Sequence, residues 1–423
     1  MSTAPEAPSI VAAQAPPAPP PPELVLLREW FREWYLHSPI PMPSRFGKRE
    51  FGFLFFDRPG MVRHLRFSSR ASLQRYVQRR VPMHAYYSTA YYTTPSARTM
   101  PEKGWLGADL IFDLDADHLR GAETMDIPQM FQAVKVMTIR LLEEFLLKDF
   151  GFTEKDLTVT FSGGRGYHIH VHSPAVQSLG SHERREIVDY ILGTDLIEDQ
   201  LIHHVPVAPA KEGLRPRHAQ SLRLPDPAEG GWGRKVTEAC LDFLTEVEER
   251  GIDLGVTRLT GVLPDLKAKE ARDLLVHFYS GTAPNRPVDM LRNERRLDLG
   301  TKAQQVLVAF AKTQYAIKTG ETDAPVTSDI KRLIRLPGSL HGKSGLRVMA
   351  VTLKDLPTFD PLQHAVALPI EGPEVEVEFL RAEAWTLGGR TYTLLPGKRM
   401  HLPVAAAAFA LGRRSARLPR AAP

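Results

Sequence analysis

Two aspartates separated by one residue stand at the end of an apolar run, IFDLDAD, over residues 111–117. Because side chains alternate between the two faces of a strand, Asp113 and Asp115 would project from one face. Phe112 and Leu114 would pack on the other. Neighbouring carboxylates repel each other unless a cation lies between them, and a divalent metal can bind both carboxylates and a triphosphate. The pattern predicts a metal site, and the alternative is an acidic edge strand with a solvated end.

A glycine-rich motif, TFSGGRGYHIHV, occupies residues 160–171. Three glycines within four positions let the backbone approach a ligand closely and direct amides at it. Arg165 lies among them and offers a guanidinium fork to phosphate oxygens. His168 and His170 fall on one face of the following strand. The motif predicts a phosphate-binding loop, and the alternatives are a plain glycine-rich hairpin or, for the histidine pair, a transition-metal site without a clear third ligand.

A basic motif, KRLIRLPGSLHGKSG, occupies residues 331–345. Arg335, His341 and Lys343 can converge on an anion, because Gly338 and Gly342 allow the chain to turn between them. Basic residues near glycines are common on protein surfaces. The prediction of an anion site is strengthened because this motif ends the same α/β unit that begins with the acidic pair.

The elements that must position these residues are both helices and strands. The predicted helices are Glu23–His37, Arg70–Val81 and Ile127–Phe150, and the predicted strands are Phe51–Phe56, His64–Phe67, Tyr86–Thr93, Trp105–Asp115, Leu157–Phe161 and Tyr167–His172. We place Asp109 at the entry of the acidic strand and Asp117 in the turn after it. Helical patterns dominate from Gly180 to Phe310, and strand patterns return over residues 329–351. The simplest account is an α+β fold in which a helical insertion interrupts a catalytic α/β unit.

Composition excludes several classes of protein. The chain has 423 residues, with 54 Lys and Arg against 49 Asp and Glu, and no apolar run long enough to span a membrane. A single cysteine, Cys240, excludes an intramolecular disulfide framework and a multi-cysteine zinc site. We expect a cytoplasmic protein.

The two ends of the chain differ from its middle. Residues 1–22 hold eight prolines and six alanines, which predicts a disordered tail. Residues 384–423 hold seven Lys and Arg and no acidic residue. That excess is either a solvated surface or a nucleic-acid contact.

Taken in order, DLD, SGGRGYHIH and RLIRLPGSLHGKSGL resemble the catalytic small subunit of archaeal and eukaryotic-type DNA primases, most closely the archaeal form. Supporting stretches are REFGF at residues 49–53, HAYYS at 84–88 and LPVAA at 402–406. The resemblance covers about residues 24–420. It implies the primase–polymerase fold, with an RRM-like catalytic core and a helical insertion.

The resemblance also implies roles for individual residues. It assigns metal binding and catalysis to Asp113, Asp115 and Asp323, and nucleotide binding to Ser162, Arg165, His168, Arg335, His341 and Lys343. Two Mg²⁺ or Mn²⁺ ions would serve primer synthesis from nucleoside triphosphates on a single-stranded DNA template. A large regulatory subunit is the expected partner, and no membrane is. The implied organisation is a tail at 1–22, core at 23–178, insertion at 179–311, and core with a basic C-terminus at 312–423.

Three questions stay open on the sequence. Family members often carry a cysteine-rich zinc knuckle after the acidic pair, whereas residues 118–128 here contain no cysteine, so we expect no structural zinc. For the third carboxylate, Asp323 matches the family pattern and lies in a turn that we expect no helix to follow closely, so capping does not explain it. Asp329 precedes a segment with helical potential that it could cap. The alternative functions are a repair or end-joining polymerase of the same fold and a non-catalytic nucleic-acid-binding module.

Overall fold

A computed structural model describes residues 20–116, 124–194, 196–197, 201–206, 220–297, 301–315 and 324–419. Its α-helices are Pro22–His37, Arg70–Arg80, Met100–Lys103, Ile127–Arg140, Pro174–Gln177, Ser181–Leu192, Gly231–Arg250, Ile252–Val262, Ala268–Tyr279, Pro287–Glu294, Thr301–Tyr315, Ala324–Ser328, Pro361–His364 and Val404–Gly412. Its strands are Phe51–Phe55, Val62–Leu65, Pro82–Ser88, Ala90–Tyr92, Trp105–Ala108, Leu110–Asp115, Leu157–Phe161, Gly166–Val171, His203–Pro206, Gln220–Arg223, Leu333–Arg335, Met349–Val351, Glu374–Phe379, Glu383–Leu387, Arg390–Leu394, Arg399–Pro403 and Ala416–Arg417. The expected mixture of helices and sheets is confirmed.

Two four-stranded antiparallel sheets carry the sequence motifs. The first sheet has the strand order Leu333–Arg335, Pro82–Ser88, Phe51–Phe55 and Val62–Leu65. The second sheet has the order Met349–Val351, Leu157–Phe161, Gly166–Val171 and Leu110–Asp115. The basic motif therefore contributes an edge strand to the first sheet, whereas the acidic and glycine motifs are neighbours in the second.

The second sheet is amphipathic because its strands alternate as predicted. Phe112, Leu114 and Ile169 are fully buried on one face, which lies against the helix Ile127–Arg140. The ring of Phe131 on that helix meets Phe161 edge-on at 5.9 Å between centroids. Burial of these apolar side chains fixes the register, since a shift of one residue would move the acids into the core.

The predicted strand Trp105–Asp115 is wrong as a single element. The chain breaks at Asp109, so that Trp105–Ala108 pairs with Ala90–Tyr92 and Leu110–Asp115 joins the second sheet. Asp109 is fully buried and bound to Arg49 at 2.7 Å. A contact between residues sixty positions apart thus decides where the strand begins.

The strand predicted over Tyr86–Thr93 is likewise wrong as a single element, because Pro82–Ser88 belongs to the first sheet and Ala90–Tyr92 pairs with Trp105–Ala108. Most of the other predicted elements are confirmed, with shifted ends. The helix predicted over Ile127–Phe150 is Ile127–Arg140 continued by a π-helix at Leu141–Leu147. The region from Gly180 to Phe310 is largely helical, but it includes an overlooked hairpin, His203–Pro206 with Gln220–Arg223. Residues 1–19 of the predicted tail lie outside the described residues, and the helix Pro22–His37 begins inside its boundary. The predicted domain boundaries remain predictions.

No helix among the described residues has both the length and the apolar character that crossing a membrane requires.

Candidate active site

The acidic pair lies on the strand Leu110–Asp115, with both aspartates partly exposed and Phe112 and Leu114 buried behind them. Residues two positions apart on a strand are separated by about 7 Å, so the two carboxylates can share a cation. Carboxylate oxygens are the ligands that Mg²⁺ and Mn²⁺ prefer. The donor set therefore fits the expected metals, and no metal-binding group of three His, Cys, Asp or Glu occurs among the described residues.

His168 lies directly opposite Asp113 in the sheet. Its Nε2 atom is 3.3 Å from a carboxylate oxygen of Asp113. Burial, together with the charge of Arg335, lowers the pKa of His168 to about 3. The imidazole is therefore neutral at physiological pH, and it meets the carboxylate as a hydrogen-bonding group and not as a cation.

The glycine loop joins the strands Leu157–Phe161 and Gly166–Val171 and is held by Ser162. The Ser162 hydroxyl oxygen accepts hydrogen bonds from the amides of Gly164 (3.2 Å) and Gly166 (3.3 Å). Gly163 has a φ of +74°, a conformation that favours glycine. At Gly166 a Cβ atom would come within 2.2 Å of the Leu114 carbonyl oxygen. Close approach to the acidic strand thus explains that glycine, and Ser162 shapes the loop whatever else it binds.

Arg335 on the edge strand of the first sheet faces the acidic pair. Its guanidinium lies 5.0 Å from the centre of the Tyr86 ring and donates a hydrogen bond to Nδ1 of His84 at 2.6 Å. Burial lowers the pKa of Arg335, and the charges of Asp113 and Asp115 act in the opposite direction. The acids and the arginine are therefore within electrostatic reach of each other although they belong to different sheets.

His341 brings the basic motif against the glycine loop. A Cβ atom on Gly163 would lie 2.8 Å from the His341 side chain, and the Ser344 hydroxyl donates to the Gly163 carbonyl oxygen at 2.5 Å. Burial and nearby positive charges hold the pKa of His341 well below its ordinary value. Those charges include Arg165, Arg335 and Lys343. Three cations from two motifs thus lie near one neutral imidazole, and Lys343 among them is exposed.

His84 is a site residue that sequence reasoning missed. Its Nδ1 atom accepts hydrogen bonds from Arg335 and from the Gly342 amide at 3.2 Å. Its ring meets that of His341 at 4.8 Å. Burial, then the charges of Arg335 and Lys343, lower its pKa to about 2. A signal existed in the motif HAYYS, because alternation along a strand places His84 and Tyr86 on one face.

Strand alternation would place Asp109 and His170 on the same face as the acidic pair, but both residues lie apart from this site. Asp109 is an internal ion-pair partner of Arg49, and its carboxylate accepts a 2.5 Å hydrogen bond from the Tyr91 hydroxyl. His170 is buried and stacked between Tyr87 and His172. Asp117 lies outside the described residues.

The third carboxylate is only partly described. Asp323 lies outside the described residues, but a helix begins directly after it at Ala324. Our reasoning that no helix follows Asp323 closely is therefore wrong, and an aspartate in that position can cap a helix. The predicted helix after Asp329 does not form, although Asp329 accepts a hydrogen bond from the Lys331 amide at 2.9 Å. Asp329 does so in a turn before the strand Leu333–Arg335, and not at the start of a helix.

Comparison with known proteins identifies close relatives of the chain. Residues 112–353 match the family model described as DNA primase small subunit. The chain is 42% identical to the DNA primase small subunit PriS of Methanothrix thermoacetophila, over 92% of this chain and 96% of that protein. It is 39% identical to the PriS proteins of Methanocella arvoryzae, over 92% and 97%, and Halobacterium salinarum, over 88% and 92%.

Proposed function

The chain belongs to the DNA primase small subunit family, and from this premise we propose that it is a catalytic nucleotidyltransferase that makes short RNA or DNA primers on single-stranded DNA. The observation that carries the proposal is the meeting of an acidic pair, a glycine loop and an arginine–histidine cluster at the edges of two sheets. Each group alone has a plain structural interpretation. Their convergence supports chemistry on a polyphosphate.

We assign the metal-binding role to Asp113, Asp115 and Asp323. Two bound Mg²⁺ or Mn²⁺ ions would activate a 3′-hydroxyl and neutralise charge on the phosphates. No zinc is part of the proposal. The partly exposed carboxylates of Asp113 and Asp115 support this assignment, and the neutral imidazole of His168 adds no positive charge beside Asp113.

We assign the triphosphate to the cationic cluster opposite the acids. Arg165, Arg335 and Lys343 would bind its oxygens and offset the charge that develops as pyrophosphate leaves. His341 is neutral, so its part would be a hydrogen bond and not an ion pair. Ser162 and His168 would border the same space, the first by holding the glycine loop in shape.

We further propose the primase–polymerase fold with an RRM-like core, and a large regulatory subunit as a partner. The two antiparallel sheets that carry the site support the fold. A repair or end-joining polymerase with the same fold is the second candidate. The RLIRLPGSLHGKSGL motif and the primase relatives favour the first.

The proposal is tested by supplying labelled nucleotides with Mg²⁺ or Mn²⁺ on two templates. One is unprimed single-stranded DNA, and the other carries an annealed primer with a 3′-hydroxyl. A primase gives product on both, a polymerase of the repair type only on the second, and a non-catalytic binding protein on neither. The second and third results would each refute the proposed function.

A further inference from the structure

We propose that an arginine surface on residues 58–80 binds the phosphodiester backbone of DNA away from the acidic pair. The inference rests on the proposed function, because it assigns where the DNA of that reaction lies. Seven exposed arginines lie on residues 58–80, and the surface consists of the six that lack an ion pair among the described residues, Arg58, Arg66, Arg70, Arg75, Arg79 and Arg80, whereas Arg63 pairs with Glu50.

The charge of this segment departs from that of the chain. Basic and acidic residues nearly balance overall, 54 against 49, whereas residues 58–101 contain eight arginines and no aspartate, glutamate or lysine. An ordinary solvated surface mixes both signs of charge. The exclusive use of arginine also fits phosphate, since a guanidinium presents several donors in a planar fork.

Apart from Arg63, which pairs with Glu50, the arginines of this segment form no ion pair with any described residue. Among the described residues no carboxylate lies within salt-bridge distance of Arg58, Arg66, Arg75 or Arg79. The basic C-terminal region differs, because Arg413 pairs with Glu383 and Arg417 with Glu378. Six arginines without an ion pair among the described residues thus lie on residues 58–80, compared with three such basic residues, Lys398, Arg399 and Arg414, in the C-terminal region.

The fold holds four of these side chains, Arg70, Arg75, Arg79 and Arg80, on one helix. The helix Arg70–Arg80 begins at a capping box formed by Ser69 and Ser72 and buries Leu73 and Val77. Arg75 and Arg79, one turn apart, point along the same side of the helix. The Arg80 guanidinium lies over the Phe55 ring at 4.8 Å. An arginine in the last turn interacts favourably with the helix dipole, whereas Arg70 in the first turn interacts unfavourably with it. Helix stability therefore does not explain why all of these positions are arginine.

The surface lies within reach of the candidate active site along one strand. The helix ends at Arg80, and the strand that carries His84 and Tyr86 follows directly. Four residues of strand span about 13 Å, which is about four steps of 3.4 Å along a DNA strand. A template that leaves the active site can therefore contact this surface within a few nucleotides.

The experiment compares full-length wild-type protein with Arg75→Gln/Arg79→Gln. Its control is Arg185→Gln/Lys269→Gln, which removes two exposed helical charges elsewhere. Binding to fluorescent single-stranded DNA and to a template–primer duplex is measured by anisotropy over a series of salt concentrations. Glutamine favours helices, so folding should be kept in both variants, and thermal melting checks this.

We expect the Arg75→Gln/Arg79→Gln variant to bind DNA roughly tenfold more weakly. In this variant a plot of log affinity against log salt concentration should become less steep. The change in slope should be about 1.4 if the surface binds single-stranded DNA or about 1.8 if it binds duplex DNA. The control should change neither. Unchanged affinity and slope in this variant would overturn the proposal and point to an acidic protein partner, and an equal loss in the control would also overturn it.

The binding readout is independent of catalysis. Nucleotide transfer by the wild-type protein is assayed separately from the binding comparison. If wild type transferred no nucleotide, the proposed function would fail while the binding comparison stayed interpretable.

Discussion

Asp109 and Asp113 are an even number of positions apart, so strand alternation would place them on one face, but their surroundings differ. Asp109 is fully buried against Arg49, whereas Asp113 is 22% exposed beside a neutral histidine. We expect Asp113→Asn to reduce nucleotide transfer below a few per cent of wild type, because an amide cannot neutralise a metal ion. Its thermal midpoint should stay near wild type. Primer extension and thermal melting of the same preparation check both, and substantial remaining activity would contradict the metal assignment.

Asp109→Asn should behave in the opposite way. It leaves the buried guanidinium of Arg49 without its counter-ion, which costs about 3–5 kcal/mol in the free energy of unfolding. Burial opposes ionisation of Asp109, but His172 and Arg49 outweigh it and lower its pKa. The stabilisation is thus complete above the unfolded-state pKa of about 3.9 and is lost as pH falls through the lower folded-state pKa. Urea unfolding at neutral pH and below about pH 4 should show the difference from wild type shrinking with acid.

His84 should act by positioning Arg335 and the Gly342 turn. His84→Phe keeps a ring but removes the acceptor of two hydrogen bonds. We expect kcat/KM for nucleotide to fall roughly tenfold to a hundredfold, as for the loss of a hydrogen bond to a charged group. The KM for template should change little. His84→Asn retains an acceptor and should restore part of the activity; equal defects in both variants would contradict the positioning role.

At the scale of elements, the turn at residues 341–345 is held against the first sheet by close packing. A Cβ atom on Gly342 would lie 2.2 Å from Met83 Cγ and 2.9 Å from the Met83 carbonyl oxygen. We expect Gly342→Ala to destabilise the protein by about 1–3 kcal/mol and to reduce activity by displacing His341 and Lys343. Gly261→Ala is the control, since that helical glycine has nothing within 4 Å. The free energy of unfolding of the control should increase by up to about 1 kcal/mol. Chemical denaturation of both variants and of wild type measures these changes.

The segment before the strand Leu333–Arg335 contains the choice between Asp323 and Asp329. Asparagine preserves a capping oxygen at either position, so the substitution removes charge and little else. We expect Asp323→Asn to abolish nucleotide transfer with little loss of stability, and Asp329→Asn to keep most activity because it still accepts from the Lys331 amide. Primer extension with Mn²⁺ and thermal melting decide it. A dead, folded Asp329→Asn beside an active Asp323→Asn would show that the assignment is reversed.

Local patterns were sufficient where the deciding contacts are local. The alternation of apolar and acidic residues correctly predicts which side chains of Leu110–Asp115 are buried, and the spacing of the glycines predicts the turn between Phe161 and Gly166. The break at Asp109 was not predictable, because it depends on Arg49 from another part of the chain. The pairing of Arg335 with His84 was hidden for the same reason, since 251 positions separate them.

On the scale of the whole molecule, the candidate site exists only when distant segments fold together. Its groups come from the strands Pro82–Ser88, Leu110–Asp115 and Leu333–Arg335 and from the loops at 162–166 and 341–345. The match to the family model spans residues 112–353, so His84 and the arginine surface lie outside it. The sequence shows basic segments at residues 58–80 and at the C-terminus, and the structure adds that Arg413 and Arg417 of the C-terminal segment are ion-paired.

The central claim is that this chain starts DNA strands. The most direct measurement is the formation of a dinucleotide on unprimed single-stranded DNA, followed by mass spectrometry, with Asp113→Asn as the matched control. We predict a template-dependent dinucleotide from wild type and none from Asp113→Asn. Absence of the dinucleotide from wild type, while an annealed primer is still extended, would contradict the claim and leave a polymerase that cannot initiate.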